Sequence, residues 1–403
     1  MAMDYLNMIE ETVVARGLEG KIIMVYGGNN LGKSKQSVKY PKTITFPFEP
    51  NALNAIGGAK KIPIYDWSSF VIFTDTMYDD KNKLEENKMK IKAYTLKLNL
   101  LKQEDKNIAK EDLEDHNESK ADLEEKIEKT QEKIANSSYV KFREQVSTLV
   151  IDSLTALGKS AEKYITDSAG VEQLGDGNRG KLFKGLENSF YFTINKFFNL
   201  GDFTYLILAH EDFRDIGDGG DDDEKIMQAV PKGEWKRVVK PVIDRCDIVA
   251  YLKGNGMDEN YNAIPSSAIL VECNTCFART KWDNMTNYIK EYSAENLEKV
   301  LNEAITEQEK EGVKVGSFSD QQGSFTESLS VSYEDIKARI GELVGEIYKF
   351  DGEDLDGKNM LEYGQIVESQ LGVGVKVSDT NKQQVKALTV ILEKTEKLAQ
   401  NLK

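Results

Sequence analysis

The chain has 403 residues, 30% of them charged and 40% hydrophobic, a globular balance with enough length for two or three domains. Its net charge of −15 excludes a protein that coats nucleic acid or an anionic membrane with its whole surface, and leaves room only for a local basic groove. Three cysteines exclude a disulfide scaffold, no apolar run is long enough for a transmembrane helix, and the acidic start lacks a signal-peptide pattern, so a reducing cytoplasm and no membrane partner are expected.

In chain order, a short helix is expected over Tyr5 to Ala15, followed through Gly17 and Gly20 by the apolar run Lys21 to Tyr26. That run is short, β-branched and bounded by glycines, the pattern of a strand buried on both faces of a parallel sheet. Further strands are predicted at Thr43 to Phe46, Thr148 to Ile151, Thr204 to Leu208, Ile248 to Leu252 and Ala268 to Val271, with helical stretches between most of them. The alternation predicts an α/β core with a mainly parallel sheet.

Two segments break this rhythm. From Lys81 to Asn136 there is no Gly or Pro and nearly half the residues are charged. Leu84, Ile91 and Leu98, then Leu123, Ile127, Thr130 and Ile134, keep seven-residue or three/four spacing on either side of a polar stretch, Lys102 to Lys120. The pattern predicts an antiparallel helical hairpin with a narrow apolar seam, either a solvated spacer or a docking arm for another protein. The second segment begins near the linker-like Gly316 to Ser324, beyond which Tyr333 to Phe350 and Lys382 to Leu402 read as amphipathic helices. Its acidic loop (Asp351, Glu353, Asp354, Asp356, Gly357) resembles a calcium loop, but Gly352 and Tyr363 stand where carboxylate ligands are required, and that reading is rejected. The expected divisions are an α/β core (1–80 and 137–312), an inserted hairpin (81–136), a linker (313–331) and a helical C-terminal module (332–403).

The most specific chemistry lies after the first strand. Gly27, Gly28, Asn29, Asn30, Leu31, Gly32, Lys33 and Ser34 satisfy the phosphate-loop pattern G-x-x-x-x-G-K-[ST] between a strand and a helical stretch. Glycines let backbone N–H groups turn inward around phosphates, Lys33 brings a cation to the β- and γ-phosphates, and Ser34 offers its hydroxyl to Mg²⁺. ATP and Mg²⁺ are the implied cofactors. A phosphate loop also needs a carboxylate at the end of a neighbouring buried strand, and Asp152, closing Thr148 to Ile151, fills that role. Asp75 is the alternative, but its segment runs on into the hairpin and reads as helix surface.

These motifs, with Tyr40 to Glu49, Asn51 to Ile56, Ile64 to Phe70, Leu149 to Leu154 and Leu206 to His210 in this order, resemble the bacteriophage RecA-like AAA family of P-loop ATPases. That family includes the Sak-type single-strand annealing and recombination ATPases, and the resemblance covers about residues 20 to 305. It implies further roles. Glu49 matches the carboxylate that orients the attacking water, and His210 the polar sensor of the γ-phosphate, on a strand between those of the phosphate loop and of Asp152. Arg279 and Lys281 match a basic pair that reaches the γ-phosphate of a neighbouring subunit. It also implies two single-stranded DNA loops, one carrying Arg179 and Lys181 with Phe183 close by for stacking. The other follows His210, where residues 211–224 carry eight acids against Arg214 and would repel phosphate. The basic-aromatic cluster Lys232, Trp235, Lys236 and Arg237 beyond it is the better strand contact. Cys273 and Cys276 form a C-x-x-C with no second pair, and are read as ordinary thiols rather than a zinc site.

Three functions compete: an oligomeric Mg·ATP-dependent recombination or annealing ATPase, in a filament or ring on single-stranded DNA; an ATP-dependent loader or remodeller gripping phage replication or recombination proteins through the hairpin or C-terminal module; and a nucleotide-binding structural module with little turnover.

Overall fold

A computed structural model describes residues 11–49, 51–104, 113–176, 180–217, 225–321, 333–381, 384–400 and 402. Thr12–Gln322 forms one compact unit and the chain from Gly323 belongs to a second. In the first, the strands are β1 (Val14–Ala15), β2 (Ile22–Gly27), β3 (Thr43–Pro47), β4 (Thr148–Asp152), β5 (Thr204–Asp215), β6 (Met227–Pro231), β7 (Ile248–Lys253), β8 (Ser267–Ile269), β9 (Arg279–Thr280), β10 (Tyr288–Ile289) and β11 (Val315–Gly316). The helices are α1 (Lys33–Ser37), α2 (Trp67–Glu104), α3 (Leu113–Ala135), α4 (Ser138–Gln145), α5 (Leu154–Ala169), α6 (Lys181–Phe198), α7 (Lys240–Ile243) and α8 (Ala294–Lys310), with a π-helical turn at Trp235–Val239. No helix among the described residues is long and apolar enough to cross a membrane.

The sheet runs β10-β8-β7-β2-β5-β4-β3, and β7, β2, β5, β4 and β3 are mutually parallel. This is the mainly parallel α/β core the sequence predicts, with the loop-bearing strand β2 at its centre. Successive side chains of a strand face opposite ways, so each central strand feeds two cores. Met24 and Tyr26 pack with Leu149, Ile151, Tyr205 and the aromatic residues of α2 and α6 on one face. Ile23 and Val25 pack with Val150, Leu206, Leu208 and the α8 residues Leu297 and Leu301 on the other. Two buried faces explain why these strands read as unbroken apolar runs.

α2 is one continuous helix of 38 residues that begins at Trp67, so the expected hairpin start at Lys81 falls inside it. Its first turns are held in an aromatic cluster, with Trp67 stacked on Phe190 at 5.3 Å and Phe70 edge-on to Phe46 at 5.8 Å. Asp75 lies on this helix and pairs with Lys196 at 2.7 Å. Further out, Leu98 of α2 and Leu123 and Thr130 of α3 are buried in the seam, and Lys102 meets Glu124 across it at 2.9 Å.

Three local expectations are corrected. The helix expected over Tyr5 to Ala15 ends in a strand instead: Val14 and Ala15 pair in parallel with Val315 and Gly316, while residues 1–10 lie outside the described residues. Consecutive Thr12, Val13 and Val14 favour extended backbone, and their partner lies some 300 residues away, beyond the reach of any local pattern. The expected linker accordingly starts as part of the core, with Phe318 buried beneath Gly20. β5 also outruns its expected end at Leu208. It continues to Asp215 as an antiparallel ladder with β6, exposed on its outer residues, and the polarity of Glu211, Asp212, Arg214 and Asp215 masks it.

In the second unit, Tyr333–Phe350, Lys358–Leu371 and Val385–Gln400 are helical, the middle one not expected from the sequence. Ile336, Ile340, Val367, Leu388 and Ile391 form its core. Asp351 of the acidic loop accepts from the backbone N–H groups of Asn359 and Met360, both at 2.9 Å, and so acts on the first turn of the middle helix.

Candidate functional site

The carboxyl ends of β2, β3 and β4, and β5 where its pairing with β2 ends, bring the candidate residues together. The loop leaves β2 at Gly27, whose φ of 153° and closeness to β7 both demand glycine: a Cβ there would sit 2.6 Å from the carbonyl oxygen of Leu252. The loop then passes Asn29 and Asn30 on its exposed side, and Gly32, at φ 84°, opens α1. Leu31 turns inward against the α8-side core, and Ser266 donates to its carbonyl at 3.0 Å. Lys33 folds back over the loop and donates to the carbonyls of Gly27 at 2.8 Å and Gly28 at 2.7 Å. Burial pushes its ammonium below the usual lysine range, against the opposing pull of Asp152, Glu211 and Glu49.

Ser34 donates to Asp152 at 2.6 Å. Asp152 is buried at the end of β4, beside Pro47 of β3 and Leu208 of β5. Burial raises its carboxyl above the ordinary aspartate range, partly offset by the Ser34 hydroxyl. A half-buried hydroxyl beside a buried carboxylate at this separation supplies two oxygen donors of the kind an octahedral site uses, and a hard divalent cation fits them.

Glu49, two residues beyond β3, is fixed from three sides. Its backbone N–H donates to Asp152 O at 3.3 Å, Ser153 donates its hydroxyl to the carboxylate, and His210 Nε2 lies 2.8 Å from Oε1. The His210 hydrogen bond holds the carboxyl below the usual glutamate range, against the opposing effect of burial. β5, the strand of His210, runs between β2 and β4, and His210 stands level with Gly27.

Gly27, Gly28, Asn29, Glu49 and His210 border a cavity of about 590 Å³. Its wall includes residues the sequence did not single out. Glu211, next to His210, accepts from the Tyr251 hydroxyl at 3.0 Å, and a Cβ on Gly28 would lie 2.9 Å from its Oε1. Lys159 of α5 and Phe213 of β5 line the same cavity. Thr155 donates to the Lys232 carbonyl at 3.0 Å and ties β6 to the site. The signal for Glu211 was its position directly after a strand-end histidine; Lys159 had none, because α5 brings it in from a charged helix surface.

The candidate DNA contacts separate. Lys232 lines this same cavity rather than a separate groove. Trp235 packs edge-on against Phe277 at 6.1 Å beneath the Arg214 guanidinium. Arg237 pairs with Glu234 at 2.6 Å and covers the Phe183 ring, so these aromatic faces are engaged within the chain. Lys236 and Lys181 are exposed, and Arg179 lies outside the described residues. Arg279 and Lys281 sit at the opposite end of the sheet. β9 joins β7 at Ile248 and Val249, whereas the phosphate loop adjoins Leu252. There Arg279 donates to the Cys246 carbonyl at 3.1 Å and Lys281 pairs with Asp247 at 2.8 Å. Asp247 in turn accepts from the Ile22 N–H at 2.8 Å, so the basic pair fastens the starts of β2 and β7.

Comparison with known proteins agrees with this geometry. Residues 19–288 match the AAA domain family. The chain is also 33% identical over 397 residues to the SPbeta prophage-derived uncharacterized protein YorG of Bacillus subtilis (strain 168), covering 98% of each chain. A phosphate loop on the central strand, a buried carboxylate on β4 facing its serine, and a family match over most of the core together make this chain a member of the AAA domain family.

Proposed function

We propose that the chain is a Mg²⁺-dependent ATPase of phage DNA metabolism, acting as an oligomer on single-stranded DNA in recombination or annealing. The observation that carries the ATPase reading is the Glu49–His210 pair beside Ser34 and Asp152, because a module that merely held nucleotide would need no oriented carboxylate beyond its phosphate loop. Mg·ATP would bring to this site an activated γ-phosphoryl group and a divalent charge. The chain's own contribution is positional. Lys33 supplies a cation to the loop, Ser34 and Asp152 supply oxygen ligands, and Glu49 accepts the proton of a water while Ser153 and His210 fix its direction. The prophage name of the relative supports the phage setting. For DNA, exposed Lys181 and Lys236 remain the candidate contacts.

A second reading, remodelling of a phage replication or recombination protein, is favoured by the 38-residue helix and by the internal engagement of Trp235 and Arg237. Phosphate release measured with and without single-stranded DNA, across a salt series, tests both. We expect turnover that Lys33→Ala abolishes and that DNA stimulates; turnover indifferent to DNA favours the remodeller, and wild-type turnover in Lys33→Ala overturns the site.

A further inference from the structure

The C-x-x-C at Cys273 is a closed hairpin turn. Cys273 N donates to Cys276 O at 3.0 Å, and Cys276 N donates to Cys273 O at 3.2 Å, with Asn274 and Thr275 at the tip. An antiparallel pair that exchanges both hydrogen bonds holds its Cα atoms about 5.5 Å apart, near the middle of the range a disulfide spans. The two sulfurs already lie 3.5 Å from each other. Their surroundings differ sharply. Cys273 is exposed, with its Sγ 3.1 Å from the Thr275 hydroxyl, whereas Cys276 is buried in the core cluster that holds Tyr26 and Ala229.

From this arrangement we propose that Cys273 and Cys276 form a reversible dithiol–disulfide couple whose co-substrate is a low-molecular-weight disulfide. Cys273, as thiolate, attacks one sulfur of that disulfide. The external S–S bond breaks, a mixed disulfide forms on Cys273, and one small thiolate leaves. Cys276 then attacks Cys273 Sγ, closing the internal S–S bond and expelling the second small thiolate. The protons of both cysteines end on the two released thiols, so two electrons pass from the protein to the small disulfide. The division of labour follows the surroundings. The Thr275 hydroxyl favours the Cys273 thiolate, while burial pushes the Cys276 thiol up to about 12, which reserves it for the intramolecular step.

The couple is wired to the phosphate loop. Ala229 of β6 donates to Thr275 O and accepts from Phe277 N, both at 2.9 Å, and the Tyr26 hydroxyl donates to Ala229 O at 2.9 Å. Tyr26 precedes Gly27, and β6 leads directly to Lys232 in the cavity wall. Drawing the sulfurs together therefore pulls on a strand that borders the site.

The test uses the full chain with oxidised glutathione, quenched by acid, alkylated and read by mass spectrometry of the peptide containing both cysteines. Wild type is expected to lose two hydrogens with no glutathione retained, and dithiothreitol restores it. Cys276→Ser and Cys276→Ala should each halt at a glutathione adduct on Cys273, at least about tenfold more abundant than in wild type. Cys273→Ser should give neither product, and buried Cys246 should stay reduced throughout. Circular dichroism confirms that each variant is folded. A wild-type protein that accumulates the adduct without closing, or a Cys273→Ser protein oxidised as readily as wild type, overturns the proposal.

Discussion

Glu49 and His210 are 161 residues apart in the chain and 2.8 Å apart in space, one just beyond β3 and the other within β5 where it leaves its pairing with β2, and β4 lies between the two strands. The contact spans the strand that carries Asp152, so the carboxylate, the histidine and the metal-type ligand form one row across the carboxyl edge of the sheet. Glu49→Gln is therefore expected to lower phosphate release by about 10²- to 10⁴-fold while leaving nucleotide affinity nearly unchanged. His210→Ala should cost less, and should cost almost nothing further in a Glu49→Gln background.

The same contact sets a pH dependence. The His210 hydrogen bond depresses the Glu49 carboxyl, so its ionised form survives below the ordinary glutamate value of about 4.3 and is lost only as pH falls through the lower folded value. A pH–rate profile should place the acid limb of turnover below that ordinary value in wild type. In His210→Ala the limb should shift to higher pH.

Asp152 behaves in the opposite sense. Burial raises its carboxyl, so the folded state binds the proton more tightly than the unfolded state does. Its contribution to stability is greatest below the unfolded pKa and declines as pH rises through the folded one, so at neutral pH the ionised group opposes folding. Asp152→Asn should raise Tm at pH 7 by about 2–4 °C and abolish turnover, by the usual conflict between a site and its scaffold. Mg²⁺ should raise the Tm of wild type and leave that of the variant unchanged.

At the other end of the sheet, Asp247→Ala leaves the Ile22 N–H without its acceptor and should cost about 1–3 kcal/mol of stability. Lys281→Ala removes only a half-exposed ion pair and should cost under about 1 kcal/mol. Urea titration measures both. Arg279→Ala/Lys281→Ala with normal stability but no turnover would instead assign the pair to a neighbouring subunit's nucleotide.

Replacing residues 99–122 by a short Gly/Ser turn should preserve cooperative unfolding, because no described residue among them belongs to the core cluster. Leu84→Ala, by contrast, opens a cavity inside that cluster and should cost about 2–5 kcal/mol. Circular dichroism melts separate the two. A truncated protein that unfolds without cooperativity would make the outer hairpin part of the core.

What the sequence disclosed depended on how locally each feature is written. The phosphate loop is contiguous, and Asp152 ends a run of buried strand residues, so both could be read directly. Glu49 and His210 have no spacing rule that joins them and came only through family resemblance. Lys159 reaches the cavity through the tertiary placement of α5, which no local pattern encodes, and Glu211 had only its place beside His210 as a signal. The basic clusters conspicuous in the sequence have partners within the chain: Arg237 pairs with Glu234 three residues before it, whereas Trp235, Arg279 and Lys281 meet Arg214, the Cys246 carbonyl and Asp247 from more distant segments.

The helix that begins at Trp67 has a mechanical consequence. At about 1.5 Å per residue its 38 residues make a rod roughly 57 Å long. Its near end is bolted to α5, where Ser160 accepts from the Trp67 N–H at 2.8 Å, and α5 opens at Ser153, the residue that donates to Glu49. A pivot of 5° at that bolt would sweep the far end, with the α3 partner it carries, through about 5 Å, as simple trigonometry on the helix length gives. Displacements at the sheet edge too small to disturb packing would thus be magnified at the far end into movements the size of a side chain, as on the long arm of a lever.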